Sequence, residues 1–443
     1  MSGTTSVMVP FDREVVGRIV RDGRIDLSTA SIREMNRIVN EIEEALDVRF
    51  IRMEFGIPGL PANPVAVNAE IEALRDKGLA NRYAPFDGIP ELKAEAARFA
   101  KLFMNIDLTP ACSVPTVGAM QGCFMSLAVA GHVDPARRTV LFLEPGFPVN
   151  KQQCRFLGLS YDRIDVYDCR GETLVRALDE RLAKGDVAAV LWSSPNNPAW
   201  IILSEEELAG IGEVLDRHGV IAIEDLAYFG MDFRKDYSKP GEPPYQPTVA
   251  RYAKRWFVIM SSSKLFSYAG QRVAITYVSP ALLSEESPHL LAHHGTRRVG
   301  YAFIHGGIYL NTACTPEGPQ HGLAALLKAV NDGEVPFLQD VREYGRRAAA
   351  MKKAFLDHGF ELVYDNDLGE PLADGFYFTI RHPKFAEGWE LIRELLHYGV
   401  SAITLASAGS VRTEGLRACT SLTTPDMIPM LEERLARFAE DHG

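Results

Sequence analysis

Basic charge is in short supply in this chain. Its 443 residues hold 47 Lys and Arg against 58 Asp and Glu, a formal net charge of -11. Without a basic face neither nucleic acid nor an anionic membrane is attracted, so neither is an expected partner. Long apolar runs are missing as well. Stretches such as Val187 to Trp192 and Val220 to Ile223 are strand-sized, far short of the ~20 residues that span a bilayer. Met1 to Pro10 show no basic n-region ahead of an apolar h-region, so no secretory signal is expected. Cysteine is sparse. Cys112, Cys123, Cys154, Cys169, Cys314 and Cys419 form no C-x-x-C pair, and read as reduced, mostly structural thiols of a cytoplasmic protein with no metal site. No internal repeat or low-complexity tract stands out.

What remains is the composition of an ordinary enzyme, 47% hydrophobic and 24% charged, with small molecules as the expected ligands. The length exceeds the roughly 250 to 300 residues at which single cores stop growing, which predicts two domains. Between residues 110 and 280 short apolar runs alternate with helical patterns, the signature of βαβ units and a largely parallel sheet. Val187 to Trp192 reads as a buried strand, Ser204 and Glu207 as a capping box, and Leu208, Ile211 and Leu215 as an apolar helical stripe. Gly219 marks a left-handed stop, and Val220 to Ile223 is the next strand. Polar residues then fall at strand ends, where open α/β sheets collect ligands: Asn196 and Asn197 after one strand, Asp225 after the next. A further strand, Thr139 to Leu143, leads into Glu144-Pro145-Gly146-Phe147-Pro148. Beyond the turn signal Asn331-Asp332-Gly333 the pattern shifts to long amphipathic helices, Val341 to His358, Glu387 to His397 and Met427 to Asp441. Strands are expected between them at Glu361 to Tyr364, Gly375 to Ile380 and Gly415 to Thr420.

The most informative segment is Ser261-Ser262-Ser263-Lys264-Leu265-Phe266-Ser267-Tyr268-Ala269-Gly270-Gln271-Arg272. A lysine anchored next to a packed strand meets an aldehyde, while hydroxyls and a guanidinium take a phosphate. Alone, a serine-rich turn ending in lysine is usually a solvated surface. Its companions are Asn81-Arg82-Tyr83-Ala84-Pro85-Phe86-Asp87-Gly88-Ile89-Pro90-Glu91-Leu92, Val117-Gly118-Ala119-Met120-Gln121, Pro145-Gly146-Phe147-Pro148, Ser194-Pro195-Asn196-Asn197-Pro198, Asp225-Leu226-Ala227-Tyr228 and Gly415-Leu416-Arg417. In this order the blocks resemble the class I/II aminotransferases, the fold type I pyridoxal-phosphate enzymes of the aspartate aminotransferase superfamily, over roughly residues 50 to 440.

That resemblance implies an α/β large domain with a mostly parallel seven-stranded sheet flanked by helices, plus a smaller α+β C-terminal domain. The expected layout is an N-terminal arm over 1–60 that packs on the small domain and a dimer partner, a cofactor-binding domain over 61–330 and a small domain over 331–443. It also implies pyridoxal 5'-phosphate, amino acid and 2-oxo acid substrates, and a homodimer with shared active sites. Lys264 matches the Schiff-base lysine and proton carrier, and Asp225 the carboxylate on the pyridine nitrogen. Tyr228 and Asn197 match donors to the phenolic oxygen, and Phe147 the aromatic on the ring face. Ala119 and Met120 N–H groups, Ser261 and Arg272 match the phosphate contacts, with Tyr83 reaching across from the neighbouring subunit. Arg417 matches the arginine for the substrate α-carboxylate, and Gly56 lies in the segment that closes over it.

Two departures stand out. Ala199-Trp200 replaces the Thr-Gly that usually follows Asn-Pro, and Tyr268 replaces a small apolar residue of the lysine motif. Between the lysine block and the small domain, Arg297 or Arg298 are candidates for selecting a dicarboxylic substrate, and Tyr301 or His305 for lining the pocket; a charge pair in a loop is more often a solvated face. An altered wall at Ala199-Trp200 keeps a second chemistry open, elimination of a β or γ leaving group or carbon-bond formation, including on an S-adenosylmethionine-like substrate. A non-catalytic regulatory module is the remote third reading, disfavoured by the absent basic footprint and the presence of Lys264 and Asp225.

Overall fold

The alternating apolar runs assemble into one large sheet in the computed structural model, which describes residues 9–443; of the Met1 to Pro10 stretch, residues 1–8 lie outside the described residues. Its strands are β1 (Ser113–Thr116), β2 (Thr139–Glu144), β3 (Ser160–Asp165), β4 (Val187–Ser193), β5 (Ile221–Leu226), β6 (Trp256–Ser261) and β7 (Ala274–Val278). They lie in the order β1-β7-β6-β5-β4-β2-β3. Strand β7 is antiparallel to β1 and β6, and the remaining neighbours pair in parallel. Every residue of β1, β2, β5, β6 and β7 is buried, as in a sheet covered on both faces, where parallel strands such as β2 read as near-continuous apolar sequence. Edge strand β3 breaks that pattern with half-buried or exposed positions, among them Asp162, Arg163 and Asp165, and such charges guard an open edge.

The connection between β4 and β5 shows the local logic. Ser204 accepts from the Glu207 N–H at the start of helix Glu205–His218, and the Glu207 carboxylate accepts from the Ser204 N–H. Such a cap is worth about 1 kcal/mol. Gly219 then ends the helix at φ 63, in the left-handed region that glycine enters without steric cost.

Parallel pairing brings the carboxyl ends of β2, β4, β5 and β6 to one edge. There Ser193 stands opposite Asp225, and Ser261 opposite Ala274. Thr116 also pairs with Ala274, so the turn after β1 and the turn before β7 arrive at the same edge. Helix α1 (Gly118–Val133) leaves from it.

The chain divides into two compact units. The larger holds Leu60–Asn196 and Ile202–Val341, and its core includes Leu127, Val140, Phe142, Leu191, Ile223 and Ile259. The smaller gathers the described residues up to Gly59 together with Asn197–Ile201 and Arg342–Gly443. In it, β8 (Glu361–Leu362), β9 (Tyr377–Arg381), β10 (Ile403–Thr404) and β11 (Leu416–Cys419) form an antiparallel sheet ordered β10-β11-β9-β8. Its core joins Val16, Ile38 and Ile42 to Phe355, Leu391, Leu431 and Phe438. The division falls at Val341/Arg342, within helix Leu338–Asp357, rather than at the Asn331-Asp332-Gly333 turn. Rings of Phe99 and Phe103 sit 6.0 and 5.2 Å from Phe337, which keeps the segment past that turn with the larger unit. Asn197–Ile201 also belongs to the smaller unit, not to the large domain in which its sequence position placed it.

Candidate active site

At the carboxyl edge of the large sheet, β5 carries Asp225, 9% exposed. Its Oδ1 is buried and accepts no hydrogen bond from the described residues. Burial pushes the carboxyl up to about 7, against the lowering pull of the Ala227 N–H and the Lys264 charge. Next along the sheet, β6 ends at Ser261, whose hydroxyl accepts from Ser263 N–H at 3.2 Å and caps the short helix Ser262–Leu265. Lys264 on that turn is half-buried. Tyr228 is buried just past β5. Phe147 is half-buried, on a loop held by the Asn196 amide donating to Pro145 C=O at 2.7 Å and by Lys151 paired with Glu144 at 2.6 Å.

The first turn of α1 presents N–H groups with no helical acceptor, those of Ala119 and Met120 among them. Gly118 stands at φ 66, and a Cβ there would fall 2.2 Å from Arg272 Nη2. The guanidinium therefore lies directly against the start of the helix, steadied by its Nη1 donating to Ala269 C=O at 2.9 Å. Gln121, quoted in the sequence motif but given no role there, closes the Val117 N–H with its carbonyl oxygen at 2.8 Å. Its amide donates to Asn311 and Thr312, each at 3.0 Å. A glutamine one turn into a helix that begins with glycine was the available signal.

The smaller unit builds a second cluster around Arg417 on β11, 1% exposed. Its Nη2 donates to Glu54 C=O at 2.6 Å and its Nη1 to Asn197 Oδ1 at 3.3 Å, while the guanidinium carbon sits 4.6 Å from the Tyr377 ring centroid. Nε has no partner among the described residues, and no carboxylate there pairs with this cation, since the Glu54 carboxylate is engaged by Arg52 and Ser401. Cβ atoms at Gly56 and Gly375 would fall 2.1 Å from Tyr377 Oη and from the Trp200 indole respectively. Both positions thus stay small to admit an aromatic neighbour. Tyr377 carried no sequence signal of its own.

Tyr83 is 80% exposed, beside Arg82 anchored on Glu317 at 2.7 Å. Exposed Tyr301 lies against His305 at 4.2 Å, which continues to Phe86 and Tyr309. Arg298 pairs with Glu286 at 3.4 Å, and Arg297 is exposed.

A family model described as aminotransferase class I and II matches residues 54–435. The chain is 22% identical over 355 residues to a probable aspartate aminotransferase of Methanocaldococcus jannaschii, covering 80% of this chain and 84% of that one. It is 27% identical over 222 residues to a probable N-succinyldiaminopimelate aminotransferase of Mycobacterium tuberculosis, covering 49% and 53%. Its fold matches alanine aminotransferase from Pyrococcus furiosus with a TM-score of 0.74 at 17% identity, covering 95% of this chain and 99% of that chain. The chain belongs to the aminotransferase class I and II family, whose members transfer amino groups between amino acids and 2-oxo acids with pyridoxal phosphate.

The residues present fit that cofactor. A buried carboxyl oxygen without a donor suits a ring N–H, and helix N–H groups beside a guanidinium suit a dianion. A lysine on a packed turn supplies the amine.

Proposed function

We propose that this enzyme carries out amino transfer, with Lys264 as the amine that would hold the cofactor's aldehyde carbon, condensing with loss of water, and that, once the substrate amine has displaced it, would carry the proton between substrate Cα and cofactor C4′. When bound, the cofactor supplies the electron sink for negative charge at Cα. Asp225 holds the ring nitrogen protonated. Tyr228 and Asn197 donate to the phenolic oxygen, and Phe147 covers the ring face. Ala119 and Met120 N–H groups, the Ser261 hydroxyl and Arg272 hold the phosphate. Arg417 takes the substrate α-carboxylate through the donor edge its neighbours leave open, with Gly56 leaving room beside it. The observation that carries this reading is the unpartnered Asp225 oxygen, a costly arrangement unless a donor arrives.

The proposal extends to a cytoplasmic homodimer. In support of a second copy, exposed Phe86, Tyr301 and Tyr309 cluster with His305 on the larger unit, where Tyr83 and Leu310 are exposed as well, and exposed apolar groups that cluster ask for cover. Tyr83 is then the residue that crosses to the other subunit's phosphate. All six cysteines are free, as a reducing compartment keeps them. No helix among the described residues is long and apolar enough to cross a membrane.

The elimination alternative draws on Ala199-Trp200. Trp200 is 0% exposed, with its ring against Gly375 and 6.1 Å from the Tyr377 ring, so its indole serves packing and does not favour that chemistry. The test is spectroscopic. On adding an amino acid, the absorbance of the bound aldehyde form should disappear and return with a 2-oxo acid, and Lys264→Ala should abolish the cycle. Substrate consumed without that interconversion would instead favour elimination.

A further inference from the structure

Tyr268 is the departure in the lysine motif that the reaction does not explain. It sits in the turn joining Lys264 to Arg272, where Ser267 at φ 50 and Arg272 at φ 52 both lie in the left-handed region that side chains other than glycine resist. Most of what holds this turn is local. Ser262 Oγ donates to Val273 C=O at 2.5 Å, Tyr268 N–H to Ser262 C=O at 3.3 Å, and Gln271 N–H to Tyr268 C=O at 3.3 Å. Phe266 also rests 6.1 Å from the Phe337 ring, a contact without strong direction.

The Tyr268 side chain does something different. It is 2% exposed and leaves the turn, its phenol donating to Glu70 on helix Pro64–Lys77. Helix Glu317–Asn331 presents Gly322 to the same phenol, where a Cβ would fall 2.3 Å from Tyr268 Oη and 2.8 Å from Ala66 C=O. A slot for the ring is thus built from two helices, with a carboxylate at its end. Burying a hydroxyl without a partner is costly and a bond to a carboxylate is among the stronger ones, so the phenol has one well-defined seat. Ala269, next in the chain, offers the carbonyl that steadies the Arg272 guanidinium against Gly118.

We propose that Tyr268 is a positioning residue: seated on Glu70, it fixes the turn so that Arg272 stays at the start of α1, aimed at the cofactor phosphate. This rests on the reading of Arg272 as a phosphate ligand. The experiment titrates pyridoxal phosphate and, separately, pyridoxal, which lacks the phosphate, into the cofactor-free full chain of wild type, Y268F, E70A, E70Q and R272A. Y268F and E70A should weaken pyridoxal phosphate about tenfold while leaving pyridoxal within about twofold, the scale of one lost hydrogen bond to a charged group. E70Q should bind as wild type, because its amide oxygen still accepts from the phenol. If Y268F binds pyridoxal phosphate normally, or weakens both ligands equally, Tyr268 only fills space and the proposal falls while the role of Arg272 stands. If R272A leaves the preference for the phosphorylated ligand intact, the phosphate reading fails and takes this proposal with it.

Discussion

Asp225 and Arg417 are both charge-bearing groups taken out of water, but the two units treat them in opposite ways. The larger unit leaves one oxygen of Asp225 with no donor among the described residues and raises its carboxyl to about 7. The smaller unit surrounds the Arg417 guanidinium with a carbonyl, an amide oxygen and an aromatic face. The first arrangement is destabilising until a cationic donor arrives; the second is already held in geometry and leaves one edge for an anion. On the proposed reading, affinity for the cofactor would come from relieving a strained acid, and turnover would be served by a cation that need not reorganise.

Of the two charged groups, the larger effect should follow from breaking the acid. If Asp225 holds the ring nitrogen protonated as proposed, Asp225→Ala should lower kcat by on the order of 10³-fold, while absorbance should still report cofactor bound through Lys264. A loss under tenfold would mean that the ring nitrogen finds its proton elsewhere, and the contrast between the units would lose its functional meaning.

The same acid predicts an unusual pH dependence for the cofactor-free protein. Glu224, fully buried and bonded by Thr248, the Val249 N–H and Trp192, is likewise raised to about 7 by burial. When folded values exceed unfolded ones the native chain binds the extra protons. Stability from these two groups is therefore fully present below their ordinary carboxylate values and is lost as pH rises towards 7, by at most about 4 kcal/mol each. Melting curves between about pH 5 and 8 should show this slope, with Asp225→Asn and Glu224→Gln each removing part of it. Saturating pyridoxal phosphate should remove the Asp225 part, since a ring N–H favours the ionised carboxylate. A cofactor-free protein that becomes more stable over the same range in wild type but not in Asp225→Asn would contradict the strained-acid account.

For the cation, Arg417→Lys keeps the charge but loses the planar fork, and on the proposed reading should lower kcat/KM by about 10²-fold through KM more than kcat. The sharper measurement compares each amino acid with the amine that lacks its carboxylate. Discrimination between them should collapse in the variant, and if it does not, Arg417 belongs to the fold alone.

The same two places differ in how openly the amino-acid sequence announces them. Lys264, Arg272, Asp225 and the Gly118 turn lie at strand ends, where apolar runs, a glycine and a charge mark position in one dimension. The Arg417 cluster depends on register. Tyr377 pairs with Cys419 and Thr379 with Arg417, so the ring beneath the guanidinium comes from a neighbouring strand whose alignment no local pattern announces. Glu54 contributes through its backbone, which carries no side-chain signature at all. Strand ends blur for a similar reason. Glu361 to Tyr364 reads as one strand, but the regular register covers only Glu361–Leu362: Val363 N–H still donates to Thr379 C=O at 3.2 Å, and the Thr379 hydroxyl then takes over the Tyr364 N–H at 2.9 Å. The Tyr268 to Glu70 contact joins residues nearly two hundred positions apart, beyond the reach of any motif.

The smallest effect isolates the wall beside Arg417. Trp200 holds φ 64, a left-handed backbone that its side chain resists, and the buried indole compensates by filling the space that Gly375 leaves. Trp200→Ala and Trp200→Gly both forfeit that packing, so the common loss cancels between them. What differs is the backbone, where glycine relaxes and alanine does not. The glycine variant should be the more stable of the two by about 1 kcal/mol, measured as a difference in urea unfolding. Equal stabilities would mean that the backbone at 200 relaxes once the indole is gone, and that the packed indole, rather than the chain around it, dictates the local conformation.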